Sequence, residues 1–250
     1  MAGDLEEALA RFDAVSLDEL DQRAALLKRV DNKYSVVWEC FLELLDRLSA
    51  DHDVLDMDGE RMFSYRTTYF DTPDLRCFTD HIEDQHPRFK ARTRLYVDSD
   101  SCVFEVKLKR EPGETDKRQI DYPVSDAERF TDSARQCLSE ALSDAGLDAP
   151  ARMAPTLQTA FRRITFAGRD SAERLTCDLE IRLSNPDGDV ARMHDGLVLV
   201  ETKTEEGDST AQSILTEVGA EEISLSKYRV GMALVGAADD APQPGSELFS

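Results

Sequence analysis

The chain has 250 residues and a formal charge of -21, from 51 acidic residues against 30 basic ones. That length carries one large domain or two small ones with a proper buried core, and so acidic a protein is repelled by nucleic acid and by anionic membranes. With 41% hydrophobic and 32% charged residues it is a globular chain, and no stretch approaches the roughly 18 consecutive apolar residues of a membrane-spanning helix.

In chain order, residues 4–28 read as two short amphipathic helices broken near Ser16, an N-cap for Leu17 onward. A short strand follows from Arg29 to Tyr34. Val37, Cys40, Phe41, Leu44, Leu45 and Leu48 recur at helical spacing, so 35–49 is expected as a helix, followed by an acidic loop from Asp51 to Glu60. Strands with apolar–polar alternation are expected at 63–70, 88–97, 102–109 and 174–183, and further strands at 117–123, 157–166 and 197–204. Turns fall at Asp71-Thr72-Pro73-Asp74, Glu111-Pro112-Gly113-Glu114 and Asn185-Pro186-Asp187-Gly188. A helix at 125–146 separates two sets of strands, and short helices at 209–219 and 225–236 close the fold. The organisation expected is an N-terminal helical segment (1–28), one domain (29–236) and a disordered tail (237–250).

Only eight of the 30 basic residues are lysine. Lys33, Lys107 and Lys203 each stand two places after a carboxylate, in Asp31-Asn32-Lys33, Glu105-Val106-Lys107 and Glu201-Thr202-Lys203. On a strand that spacing puts both charges on one face. Between 88 and 97 one face carries Arg88, Lys90, Arg92, Arg94 and Tyr96, and the other Phe89, Ala91, Thr93, Leu95 and Val97. In 102–109 Glu105, Lys107 and Lys109 share a face. In 174–183 Arg174, Thr176, Asp178, Glu180 and Arg182 do.

A sheet with one wet face gives the same alternation, with its charges in bulk water. Two features weigh against that here. The loops and helices are acidic while the 88–96 face is basic, and few helices are available to cover a wide sheet. Closing the strands into a barrel turns the polar face inward, with the helices at 35–49 and 125–146 outside. Cations crowded in such a lining repel unless carboxylates, water or a polyanion intervene. Arginine grips phosphate oxygens in pairs and lysine acts as a mobile charge. Asp31, Glu105, Asp178, Glu180 and Glu201 supply hard oxygens of the kind that bind Mg²⁺ or Mn²⁺.

Six motifs occur in order: Arg29-x-Asp31-x-Lys33-Tyr34, Thr68-Tyr69-Phe70-Asp71-Thr72, Lys90-x-Arg92-x-Arg94-x-Tyr96, Phe104-Glu105-x-Lys107, Val200-Glu201-x-Lys203 and Ser226-Lys227-Tyr228. The series resembles the VTC domain, the polyphosphate polymerase branch of the CYTH-like triphosphate tunnel metalloenzyme superfamily, across about residues 29 to 235. The resemblance implies an α+β fold, an antiparallel β-barrel tunnel with peripheral helices. It implies catalytic roles for Lys33, Arg92, Arg94, Lys107 and Glu201. Phosphate binding is implied for Lys33, Lys90, Arg92, Arg94, Lys107, Lys109, Lys117, Arg163, Arg174, Lys203 and Lys227. Metal binding falls to Glu201, with Glu105 and Asp31, and the cofactor expected is Mn²⁺ or Mg²⁺. Asp31 stands where glutamate is usual, so its carboxylate reaches less far. Phe161 replaces a frequent tyrosine and removes a hydroxyl.

The function this implies is a metal-dependent phosphotransferase that makes inorganic polyphosphate from ATP. The alternatives are a hydrolase of triphosphate or tripolyphosphate at the same site, and a non-catalytic polyphosphate sensor. The partners expected are ATP or another triphosphate and polyphosphate, with no nucleic acid and no direct membrane insertion, a membrane-bound partner remaining open. The acidic stretch from Met1 to Leu9 has no apolar run, so no signal peptide is expected. Five cysteines (Cys40, Cys77, Cys102, Cys137, Cys177) without a CxxC pair point to reduced thiols in a cytoplasmic protein. His52, His81, His86 and His194 lack ligand spacing and read as exposed. Tyr34, Tyr69 and Tyr96 read as packing. Neither a G-x-S-x-G elbow nor a G-x-x-x-x-G-K loop is present.

Overall fold

The runs of alternation form strands, and the helical repeats form helices against them. A computed structural model describes residues 2–23, 30–111, 115–205, 209–236 and 243–250. The first half runs α1 (Ala2–Leu9), β1 (Asp13–Val15), α2 (Leu17–Arg23), β2 (Val30–Val37), α3 (Trp38–Leu48), β3 (His52–Leu55), β4 (Phe63–Asp71), α4 (Arg76–Ile82), β5 (Arg88–Tyr96), β6 (Ser101–Lys109) and β7 (Thr115–Tyr122). The second half runs α5 (Asp132–Ser143), β8 (Ala154–Gly168), β9 (Arg174–Ser184), β10 (Val190–Arg192), β11 (Leu197–Thr204), α6 (Thr210–Glu217), β12 (Glu221–Glu222) and α7 (Lys227–Val235).

Strands pair in the order β12-β2-β11-β9-β8-β4-β5-β6-β7, with β1 on β3, β3 on β8 and β10 on β9. The β2–β11, β9–β11, β4–β5, β5–β6 and β6–β7 ladders are antiparallel, while β1 lies parallel to β3. The antiparallel α+β sheet is therefore as expected. Among the described residues its ladder is open, ending at β12 and β7, rather than closed into a ring by hydrogen bonds.

The chain forms two compact units. One comprises residues 1–63, 161–181 and 193–224, and the other 64–160, 182–192 and 225–250. In the first unit Phe41, Leu44, Leu45 and Leu48 of α3 are fully buried among Leu5, Leu9, Phe166, Leu175 and Val200. The helix begins at Trp38 rather than residue 35, because Ser35, Val36 and Val37 pair with Leu199, Val198 and Leu197 of β11. The acidic loop expected from residue 51 is in part β3, all of it buried. Its charges are compensated. Asp53 accepts from Arg23 (2.7 Å) and Arg169 (2.7 Å). His52, expected to be exposed, is buried between Asp51 (2.6 Å) and Glu173 (3.3 Å).

In the second unit β5, β6 and β7 form a meander. Phe70, Phe104, Phe130 and Tyr122 cluster on its apolar side, with ring centroids 5.5–6.2 Å apart. The helix expected at 125–146 is shorter. Residues 124–126 make one tight turn, and α5 starts at Asp132, where the Thr131 hydroxyl accepts from Ala134 N. The Tyr122 hydroxyl fixes that break by accepting from Thr131 N (3.1 Å) and donating to the Arg129 carbonyl (2.8 Å). Gly231 brings α7 close to β8, since a Cβ there would lie 2.5 Å from Leu157. Of the stretch expected as a disordered tail, residues 243–250 are ordered. Ser250 exchanges backbone hydrogen bonds with Arg192 (2.7 and 2.9 Å), and Phe249 is buried. Residues 237–242, like Arg29 and the Pro112–Glu114 turn, lie outside the described residues. No helix among the described residues is long and apolar enough to cross a membrane.

Candidate functional site

The second unit carries the denser array of cations. Across β5 and β6 the register sets Arg88 opposite Lys109, Lys90 opposite Lys107, and Arg92 opposite Glu105. Across β6 and β7 Lys107 stands opposite Lys117. Like charges directly opposite destabilise a sheet, so this pattern is not a stability device. Glu105 is the buried carboxylate of the array, and cations stand against both its oxygens. It meets Arg92 Nε at 2.7 Å, Lys117 Nζ at 2.6 Å and Arg94 at 3.9 Å. Burial opposes its charge, but Arg92, Arg94 and Lys117 prevail and hold its pKa down to about 2. Arg92 also donates to the Tyr69 hydroxyl (3.3 Å) and lies over that ring.

Lys90 differs from its neighbours. Its ammonium donates to Ser226 Oγ (3.3 Å) and lies 5.5 Å from the centre of the Tyr228 ring. Ser226 caps α7 and Lys227 is that helix's first residue. The helix is held by a buried bond, Tyr228 O–H donating to Asp71 Oδ2 at 2.6 Å. Asp71 also accepts from Thr72 N (2.7 Å), Cys77 N (2.8 Å) and Phe78 N (3.0 Å), which fixes the start of α4. Asp71 and Tyr228 lie within the sequence motifs 68–72 and 226–228. Their contact was not legible there, because 157 residues separate them.

In the first unit three strands bring the carboxylate–lysine triplets side by side. Glu201 stands opposite Lys33 on β2 and Thr176 on β9. Lys203 stands opposite Asp31 and Arg174. Lys203 donates to Glu201 within its own strand. Burial opposes the Glu201 charge, yet Lys203, Lys33 and Arg163 outweigh it and hold the carboxyl below the usual range. Arg163 forks onto Asp178, Nε to Oδ1 at 2.6 Å and Nη2 to Oδ2 at 2.8 Å. Arg174 reaches Asp21 of α2 at 3.3 Å.

Glu180 departs from the expected row. Its φ is +54°, a left-handed conformation uncommon for a non-glycine residue. Its carboxylate is exposed beside Arg162 (3.9 Å). Arg162 and Arg163 are consecutive and face opposite ways, so Asp178 and Glu180 fall on opposite faces of β9. One twisted residue ends the polar row.

The structure thus groups Asp31, Lys33, Arg163, Arg174, Glu201 and Lys203 in one unit. It groups Lys90, Arg92, Arg94, Glu105, Lys107, Lys109, Lys117 and Lys227 in the other. Among the described residues no three His, Cys, Asp or Glu side chains converge. Ions such as Mg²⁺ are commonly held by one or two carboxylates together with substrate phosphates and water. Glu201 and Asp31 provide such a pair, on neighbouring strands. Glu105, with both oxygens engaged by cations, is less available.

The VTC domain family profile matches residues 28–236, and the chain belongs to that family. No curated protein matches. Among solved structures, an adenylyl cyclase candidate from Hippeastrum with a dominant triphosphatase activity superposes with a TM-score of 0.54 at 14% identity, over 82% of this chain and 94% of that one. An adenylate cyclase candidate from Vibrio parahaemolyticus gives 0.43 at 15% identity, over 88% and 97%. The first likeness is one of fold.

Proposed function

We propose that the protein is a metal-dependent phosphotransferase that builds inorganic polyphosphate from ATP. One observation carries the reading: on β5 and β6 Lys90, Arg92, Arg94 and Lys107 share a face whose buried carboxylate, Glu105, already has cations against both its oxygens. Such an array is compensated when a chain of phosphates lies along it. Arg92 and Arg94 would orient phosphate oxygens, Lys107, Lys109, Lys117 and Lys227 would add mobile charge, and Tyr69 would fix the Arg92 plane.

In the first unit Glu201 and Asp31 would hold Mn²⁺ or Mg²⁺, and Lys33, Arg163, Arg174 and Lys203 would bind phosphate. When bound, such an ion would supply positive charge against the charge that develops during phosphoryl transfer. No side-chain nucleophile is needed, because a terminal phosphate is the acceptor and positioning with charge compensation carries the rate.

The test is purified protein with ATP and Mn²⁺, resolving products by gel and chromatography. Long polyphosphate with stoichiometric ADP is expected. Orthophosphate alone would make the protein a hydrolase in which water is the acceptor. Tight, salt-sensitive polyphosphate binding without turnover, undisturbed in Glu201→Ala, would make it a binding module.

A further inference from the structure

Lys90 is the cation of the second unit with the fewest ways to remain charged. Its neighbours on β5 and β6 are basic or neutral, and the carboxylates nearby are paired with other groups. Along β5 lie Arg88 and Arg92, and across on β6 lie Lys107 and Lys109. Helix α4 carries His81 and Asp80, the latter paired with Arg76 (3.5 Å), and the start of α7 carries Ser226, Lys227, Tyr228 and Arg229. The carboxylates of this unit that come near are engaged elsewhere. Asp84 is paired with Arg88 (2.7 Å), Glu105 with Arg92 and Lys117, and Asp71 with Tyr228 and three backbone N–H groups. The contacts of Lys90 among the described residues are a hydroxyl and an aromatic face. Neither supplies the full negative charge that a partly buried ammonium among like charges needs.

We propose that Lys90 stands as a neutral amine while the site is empty and takes a proton from solvent when a phosphate chain binds, so that anion binding is coupled to uptake of one proton. This rests on the reading of the β5–β6 face as a phosphate site. Burial first, and then Lys107, Arg92, Arg88 and Arg229, push the Lys90 amine well below its ordinary value. The same surroundings push His81 down to about 2, burial leading and Lys90 and Arg88 adding to it, so His81 stays neutral and Lys90 is the group that responds. A phosphate oxygen against Nζ reverses the balance, because the ammonium then gains a charged acceptor.

The experiment compares the wild type with Lys90→Arg, whose guanidinium stays charged throughout. Tripolyphosphate binding is measured by calorimetry at pH 8 in buffers of different ionisation enthalpy. Proton exchange by tripolyphosphate itself is common to both proteins and cancels in the difference. The wild type should take up close to one proton more than Lys90→Arg. Its affinity should fall with rising pH more steeply, by about tenfold per pH unit. Lys90→Met, should arginine pack poorly, is expected to bind more weakly and equally without the extra proton.

In ligand-free protein labelled at its eight lysines, the Cε resonance absent from Lys90→Arg should show a neutral amine at pH 8. Equal proton uptake in wild type and Lys90→Arg, or an ordinary lysine titration near pH 10.4, overturns the proposal while leaving phosphate binding intact. Failure of the wild type to bind tripolyphosphate at all overturns the phosphate-site reading, and this inference with it.

Discussion

The two charged faces are constructed differently. On the first unit's face every carboxylate has a cation at hand: Glu201 beside Lys203 and opposite Lys33, Asp178 gripped by Arg163, Asp31 opposite Lys203. On the second unit's face cation stands opposite cation, and the one buried carboxylate, Glu105, serves Arg92, Arg94 and Lys117 together. The first arrangement sets its charges against one another. The second is under electrostatic tension until an anion arrives, and that tension is the stronger sign of function, since nothing in folding requires it.

The contrast can be broken at several points. The largest effect is expected from Glu201→Gln, which should lower metal-dependent turnover by on the order of 100-fold or more while the protein stays folded by circular dichroism. Normal turnover would remove Glu201 from the metal assignment. Next, Arg163→Ala removes the two-pronged contact onto the buried Asp178 carboxylate and should cost about 3–5 kcal/mol in urea unfolding. The double variant with Asp178→Ala should recover part of that loss, and additive losses would show that the pair is not coupled.

Arg92→Ala should weaken tripolyphosphate binding by roughly 10- to 100-fold, the worth of a charge-assisted contact, as read by calorimetry. A smaller change than in Lys117→Ala would reverse the ranking of the two cations. The subtlest difference concerns acid. The folded Glu105 carboxyl titrates at about 2, against 4.5 ordinarily, so it contributes stability that is present above pH 4.5 and lost as pH falls toward 2. Glu105→Gln should flatten the acid limb of the stability curve in that window, and identical limbs would show that Glu105 is not ionised in the fold.

Much of this was legible in the sequence because strand alternation is a local signal. The 88–96 and 101–109 faces follow from side chains two apart, and the acid-x-lysine triplets do place both charges on one face. The failures share a cause. β3 was hidden because His52 and Asp53 look polar until Glu173, Arg23 and Arg169 arrive from distant segments. Glu180 was misplaced because one left-handed residue turns the alternation over. The division of the cations between two units reflects where β8 and β9 change partners, which no local pattern records. Ser226 and Tyr228 as the surroundings of Lys90 depend on a contact across 136 residues.

That last separation has a consequence for how the protein assembles. The β5–β6–β7 meander joins neighbours in sequence and can form by local pairing, which is the rapid kind. The contacts that finish its cationic face, Ser226 onto Lys90 and Tyr228 onto Asp71, close loops of 136 and 157 residues. Loop closure of that span is slow relative to hairpin formation. On a growing chain the meander can therefore pair before α7 has been synthesised, and its cationic face is completed only when Ser226 and Tyr228 arrive.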